Sequence, residues 1–322
     1  MLAGQGARRA AGKSWPSLAL APGLYPGIAL CEDRRPLSTS TPGHAPFHLQ
    51  VATRMSRLRR AFDAVAELPG MRVLAKPLYD RAFRRNASRN LFHGVYDSFA
   101  AAAAAVPPGA PVGYDNAASA ALYRDRLSVN RVSDYPPMFW LSNLLRDGAR
   151  RVFDLGGHIG VGYYAFQRFV EYPPDLDWRV FDVPAVMAAG EEWAKTHDTA
   201  GKLRFAKSLE EASGADVLLA MGSLQYLDYT LPGLLRRLDQ PPPNLVISQT
   251  PLHPSRSFFT INSIGTAFCP YRITSTPEFI RGLEDAGYQV RDHWQSMEKQ
   301  IRIPLAREHS FDHYSGFCFV RK

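Results

Sequence analysis

Asp154 is the residue with the most chemistry to offer. It sits at the end of the apolar run Arg151-Val-Phe-Asp-Leu155, which passes at once into Gly156-Gly-His-Ile-Gly160 and then a helical pattern. In a doubly wound sheet the first strand ends at the topological switch point, where cofactors bind. Glycine there lets the backbone approach a ligand that a Cβ would exclude. A carboxylate at that point repels phosphate. It suits a ligand with a positive amine and sulfonium and no phosphate. Asp182 ends the next strand, where its two oxygens can accept from both hydroxyls of a ribose. With Val183 and Pro184 after it, Asp182 also reads as a helix N-cap.

Further candidates follow the later strands. Ala220-Met-Gly-Ser-Leu-Gln-Tyr226 places Met221, Gly222 and Ser223 beside the same edge, with Gln225 just beyond. Gln225 cannot take a proton at neutral pH. His253, in Gln249-Thr-Pro-Leu-His253, is the candidate general base, because an imidazole near pKa 6.5 suits deprotonation of a hydroxyl. It also reads as a loop histidine capping a turn. Tyr271 is the second candidate for that proton. His158 can stack on or hydrogen-bond a cofactor. Tyr114, Asn116, Asn262, Tyr271 and Arg272 fall outside the predicted helices and strands and suit an acceptor pocket, or a packed lid without ligand. His309 and His313 have i, i+4 spacing with Asp312 between, but they lie in a predicted loop. No carboxylates cluster near the fourth strand, so no metal site is expected. A rival pattern, Gly160-Val-Gly162-Tyr-Tyr-Ala165 with Asp182 twenty residues beyond Gly162, matches a dinucleotide fingerprint. Its first glycine comes too late after the strand.

The elements that position these residues alternate. Strands are predicted at 151–155, 178–182, 203–206, 216–221 and 244–249, with helices at 160–170, 184–197 and 231–238 between them. Helix 277–286, stopped by Gly287, leads to two final strands, 289–293 and 315–320, with no helix between. Alternation implies a parallel sheet, and the last two strands imply an antiparallel terminal pair. Residues 55–135 read as mainly helical, with Asp97 or Ser98 capping the alanine-rich run Phe99–Val106. The apolar segment Met138–Leu145 follows Pro136-Pro137.

The Asp154 loop resembles the first motif of class I S-adenosylmethionine-dependent methyltransferases, acid-x-Gly-x-Gly-x-Gly; Asp154, Gly156 and Gly160 match, and His158 stands at the middle glycine. Phe181-Asp-Val-Pro184 is similar to the Phe-Asp-Leu-Pro of small-molecule O-methyltransferases. With Asn90–Phe99, Gly113–Asp115, Gly222–Tyr226, Thr250–His253 and Ala267–Arg272, the chain resembles a poorly characterised family of bacterial methyltransferase-like proteins associated with surface-polysaccharide biosynthesis. The resemblance implies a Rossmann-like, doubly wound α/β fold of seven strands under a helical N-terminal cap. It also implies S-adenosylmethionine held by Asp154, Gly156, Gly157, His158, Gly160, Asp182, Val183, Met221, Gly222 and Ser223, and a small-molecule or glycan-precursor acceptor. A histidine base stands about where Gln225 stands in many small-molecule O-methyltransferases. An NAD-dependent oxidoreductase and a non-catalytic methyltransferase-like binding protein remain alternatives.

The 322 residues carry a formal charge of +8, with 46% hydrophobic and 21% charged residues. That charge is too mild, and too lacking in basic runs with interleaved aromatics, for a nucleic-acid partner. Residues 1–54 are rich in Pro, Gly, Ser, Ala and Arg. They predict disorder or an over-long start, with Met55 as the true beginning. Proline interrupts the apolar piece Trp15–Cys31, so no integral membrane segment is expected. Three unclustered cysteines fit a reducing, cytoplasmic compartment. Residues 55–135 then form the cap and substrate region, and 136–322 the methyltransferase domain; oligomeric state is unknown.

Overall fold

The computed structural model describes residues 71–85 and 90–322. The expectations for residues 1–54 and for a start at Met55 lie outside the described residues. The first elements are α1 (Met71–Arg84), β1 (Leu91–Tyr96), α2 (Phe99–Ala104), α3 (Ala117–Ala120) and α4 (Tyr135–Arg146). The alternating stretch follows: β2 (Arg151–Leu155), α5 (Val161–Phe166), β3 (Asp177–Phe181), α6 (Pro184–His197), β4 (Leu203–Phe205), β5 (Val217–Met221), α7 (Leu231–Leu235) and β6 (Asn244–Thr250). The chain ends with β7 (Leu252–His253), β8 (Phe258–Ser263), β9 (Phe268–Ser275), α8 (Thr276–Glu284), β10 (Tyr288–Ser296) and β11 (Tyr314–Arg321).

Seven strands form one sheet in the order β10-β11-β6-β5-β2-β3-β4. Strands β2 to β6 are parallel, and β11 runs antiparallel to both β6 and β10. The chain winds outward from β2 through β3 to β4, then returns to β5 on the other side of β2. The switch point therefore lies between the carboxyl ends of β2 and β5, where such sheets bind ligands.

Both sheet faces are covered, so the central strands read as continuous apolar runs. On one face Val152, Val217, Leu219 and Val246 pack with Met138, Leu141 and Leu145 of α4 and Tyr163 and Phe166 of α5. On the other, Phe153, Leu155, Leu218 and Ile247 meet Leu231 and Leu234 of α7 and Phe279 and Leu283 of α8. The two-residue period of β2 turns Asp154 toward the same side as Val152, beneath α5. The caps follow local chemistry: the Ser98 side chain accepts from Ala101 N at the start of α2, and Ser275 caps α8.

The N-terminal region, expected to be mainly helical, also supplies a strand. Residues 91–96 are a strand, and β1 joins a second sheet in the order β1-β8-β9-β7. The expected acceptor loop is largely the β8–β9 hairpin, with Asn262 paired to both Phe92 and Cys269. Phe92, Phe258, Tyr271 and Ile273 of this sheet pack with Ile301, Ile303 and Phe311 from the β10–β11 connection, forming a separate core. No helix among the described residues is long and apolar enough to cross a membrane.

Candidate active site

The turn after β2 is shaped by close approach. Gly156 has φ 74°, and a Cβ there would stand 2.2 Å from Ser223 Cβ. A Cβ on Gly157 would stand 2.4 Å from Asp154 Oδ2. These glycines therefore admit the protein's own Ser223 and Asp154, whose side chains lie beside the turn. Ser223 Oγ donates to the Leu155 carbonyl and ties the ends of β2 and β5 together. Gly160, left-handed at φ 88°, caps α5. His158 is also left-handed, at φ 57°, an unusual state for a residue with a Cβ.

Asp182 holds that conformation. Its Oδ2 accepts from His158 N at 2.9 Å and its Oδ1 from Val183 N at 2.8 Å. Burial raises its pKa to about 6 against the pull of those two donors. A carboxylate offers about four lone-pair sites, so roughly half remain for a ligand.

Asp154 is 0% exposed. Its Oδ2 accepts from Trp178 Nε1 at 3.1 Å, and its Oδ1 has no partner. Burial, with a smaller push from the Asp182 charge, raises its pKa to about 7. A buried carboxyl with an orphaned oxygen is costly, and such sites are candidates for function. The His158 imidazole donates through Nε2 to the Ser119 carbonyl at 3.1 Å, while buried Nδ1 lacks a partner. Burial lowers its pKa to about 4, so the ring is neutral.

These groups border a cavity of about 660 Å³. The ends of β2, β3 and β5 give Asp154, Gly156, Gly157, His158, Asp182, Val183, Met221, Gly222 and Ser223, all expected at a cofactor edge. Of the expected acceptor residues, Tyr114 also lines it, in a T-shaped contact with Tyr226.

The remaining expected residues do other work. Gly160 is the helix cap. Asn116 caps α3 through Ser119 N and donates to the Gly113 carbonyl. Asn262 donates to the Leu91 carbonyl and accepts from Tyr226 OH. Tyr271 OH pairs with Tyr314 OH, and burial holds its pKa well above the usual phenol value. Arg272 donates to the carbonyls of Leu227 and Asp228 and covers Phe259. Gln225 donates to the Gly222 carbonyl and keeps a buried, unpartnered Oε1.

His253 does not line the cavity. Its Nδ1 accepts from Ser255 N at 3.1 Å and Arg256 N at 3.0 Å, and its Nε2 donates to the Glu308 carbonyl at 3.0 Å. No lone pair is left for a substrate proton. Burial lowers its pKa, which keeps it neutral in this role. The candidate base is corrected to a turn cap that also fastens the β10–β11 connection.

Other cavity residues escape the sequence patterns. The segment before α4 supplies Tyr123, Arg126, Arg131 and Asp134, β6 supplies Gln249, and the β10–β11 connection supplies Lys299. Gln249 is buried at φ 51°, a strain of the kind that collects at functional sites. Asp134 Oδ2 accepts from Arg126 Nη2 at 2.5 Å and Arg131 N at 2.8 Å.

No family model matches the chain, and no curated protein matches it. Solved structures are similar to it. One is magnesium protoporphyrin IX methyltransferase from Synechocystis PCC 6803 with bound SAH, at 13% identity and TM-score 0.43, covering 65% of this chain and 96% of that one. Another is the Burkholderia thailandensis 1,6-didemethyltoxoflavin-N1-methyltransferase with S-adenosylhomocysteine, at 18% identity and TM-score 0.39, covering 60% and 80%. A third is an O-methyltransferase family protein from Burkholderia thailandensis, at 19% identity and TM-score 0.38, covering 59% and 56%.

Proposed function

We propose that the protein is an S-adenosylmethionine-dependent methyltransferase acting on a hydroxyl of a sugar or glycan precursor. One observation carries the cofactor reading: the buried carboxyl of Asp154, with one orphaned oxygen, lies at the switch point beside Asp182. A cationic amine or sulfonium satisfies that charge. A dinucleotide pyrophosphate meets two carboxylates instead, and the His158 N–H that could greet it is committed to Asp182. The sugar acceptor rests on the sequence resemblance, and aromatic Tyr114, Tyr123 and Tyr226 on the cavity wall suit a ring's apolar face.

S-adenosylmethionine, when bound, supplies a methyl group already activated by its sulfonium. The residues in place fit it: Asp154 for the positive amino-acid end and Asp182 for ribose hydroxyls. The chain's own part is then to hold, orient and exclude water. Calorimetry on the folded protein with S-adenosylhomocysteine and NAD tests the reading. Binding of the first without the second supports it; the reverse overturns it.

A further inference from the structure

We propose that Arg126, Arg131 and Lys299 form a subsite for an oxyanion, a carboxylate or a phosphate ester, inside the same cavity. The inference rests on the reading of that cavity as the chamber for cofactor and acceptor.

All three cations line the cavity. They come from separate parts of the chain: two from the segment before α4, one from the connection that also carries the core residues Ile301 and Ile303. The acids beside them are already engaged. Asp134 Oδ2 holds Arg126 Nη2 and Arg131 N, and Glu298 Oε2 accepts from Ser133 N. Arg126 Nε is buried without a partner. Lys299 makes no hydrogen bond or ion pair among the described residues; its Nζ stands 5.6 Å from the Tyr314 ring.

Burial, and then the charges of Arg131 and Arg126, push the Lys299 amine down to about 8, against the pull of Asp134 and Glu298. An ammonium that shares a cavity wall with two guanidiniums is destabilised until an anion joins it. Guanidinium forks match the geometry of carboxylate and phosphate oxygens. Two sources offer that chemistry: the amino-acid carboxylate of the cofactor, and an acidic group on the acceptor.

The test exploits Lys299. Near pH 8 an arriving oxyanion restores the ammonium, so binding takes up a proton, which calorimetry in buffers of different ionisation enthalpy reads. Lys299→Met should abolish the uptake and weaken binding by roughly tenfold or more, the scale of one charge-assisted hydrogen bond. Lys299→Arg should abolish the uptake yet keep most of the affinity, which a merely structural lysine does not predict. Arg131→Gln, at an exposed residue, should weaken binding in the same direction.

In one arm S-adenosylhomocysteine is compared with its decarboxylated analogue. In the other, inorganic phosphate and glucuronate are titrated into protein saturated with S-adenosylhomocysteine. Lys299-dependent uptake in the first arm assigns the subsite to the cofactor tail, and in the second to the acceptor. Absence of any Lys299 dependence in both arms overturns the subsite. If S-adenosylhomocysteine fails to bind the folded protein, the proposed function fails instead. Phosphate and glucuronate titrated into the free protein then still decide the subsite.

Discussion

Replacing Asp154 by Asn should stabilise the fold and weaken the ligand. Burial holds the carboxyl at about 7 in the folded chain, against 3.8 for an ordinary aspartate. Between those values the unfolded chain has lost the proton and the folded chain keeps it. The unfolded state then binds fewer protons, so stability falls as pH rises through that window and levels off above it. At about 1.4 kcal/mol per pH unit, the full cost of ionising the buried group is about 4 kcal/mol. Relaxation around the site trims this, so about 2–3 kcal/mol is expected above pH 7. Asn keeps an oxygen for Trp178 Nε1 and never ionises. Denaturant unfolding should therefore show Asp154→Asn more stable than the parent by about 2–3 kcal/mol at pH 8, with little difference at pH 4. A cationic ligand inverts the balance, because it favours the carboxylate. S-adenosylmethionine should bind the parent more tightly as pH rises from 5 to 8, and the variant should lose most of that gain. Equal stabilities at pH 8, or a gap of the same size at pH 4, would refute the account of Asp154 as a strained, ligand-facing acid.

Three other outcomes are expected. Asp182→Ala should weaken S-adenosylhomocysteine by about 1–3 kcal/mol in calorimetry, the scale of lost charged hydrogen bonds, and should loosen the His158 turn it anchors. His253→Ala should leave S-adenosylhomocysteine affinity unchanged but lower stability by about 1–3 kcal/mol, since it strands buried main-chain groups. Because burial depresses the His253 pKa, its contribution is present above the unfolded value and fades as pH falls below it, so the gap in melting temperature should narrow toward pH 5. Gly156→Ala, at φ 74° with Ser223 Cβ 2.2 Å from the new methyl, should cost about 2–4 kcal/mol by unfolding, and Ser223→Gly in the same chain should recover part of it.

The sheet and the glycine turn at its switch point were legible because their signals are local. Arg151–Leu155 announces a strand by its apolar run, and Gly156 through Gly160 announces the turn within the next five residues. Asp182 falls at the matching end of the neighbouring strand. The second sheet was less visible. Strand β1 carries Gly94 at φ 74°, and its partner β8 lies over 160 residues away, so no local periodicity marks the pair. The segments Phe258–Ser263 and Phe268–Ser275 around Gly265 carry the composition of a hairpin, although Pro270 within β9 weakens the strand pattern. The reading of His253 failed for a related reason. Topology placed it past the end of β6 near the cofactor edge, but its ring nitrogens are settled by Ser255, Arg256 and Glu308, and the last of these arrives from a distant loop. Lys299 had no signal of its own, since nothing in its neighbours distinguishes it from a solvated surface lysine.

The charges of the cavity give it a polarity that neither the fold nor the glycine turn supplies. Asp154 and Asp182 line the edge formed by β2 and β3, while Arg126, Arg131 and Lys299 enter from outside the alternating strands and helices. Tyr114, Tyr226, Cys269 and Pro270 contribute uncharged wall to the same cavity. A ligand whose positive centre meets the acids and whose negative group meets the cations gains at both places. A ligand with a central pyrophosphate loses at the acids, whatever it gains at the cations. The acids are the expensive part, because each is held protonated above its usual range by burial. Binding that draws both carboxyls back to the ionised form recovers that cost. Discrimination between a sulfonium cofactor and a dinucleotide should therefore blunt as the buffer is brought from pH 8 down toward pH 6, because protonation removes both the attraction for the cation and the repulsion of the pyrophosphate. For S-adenosylmethionine, affinity should decline over that range. Titration of S-adenosylmethionine affinity against pH, with sinefungin as an uncleavable cationic probe, measures this directly, and a flat profile for both would remove the acids from the recognition.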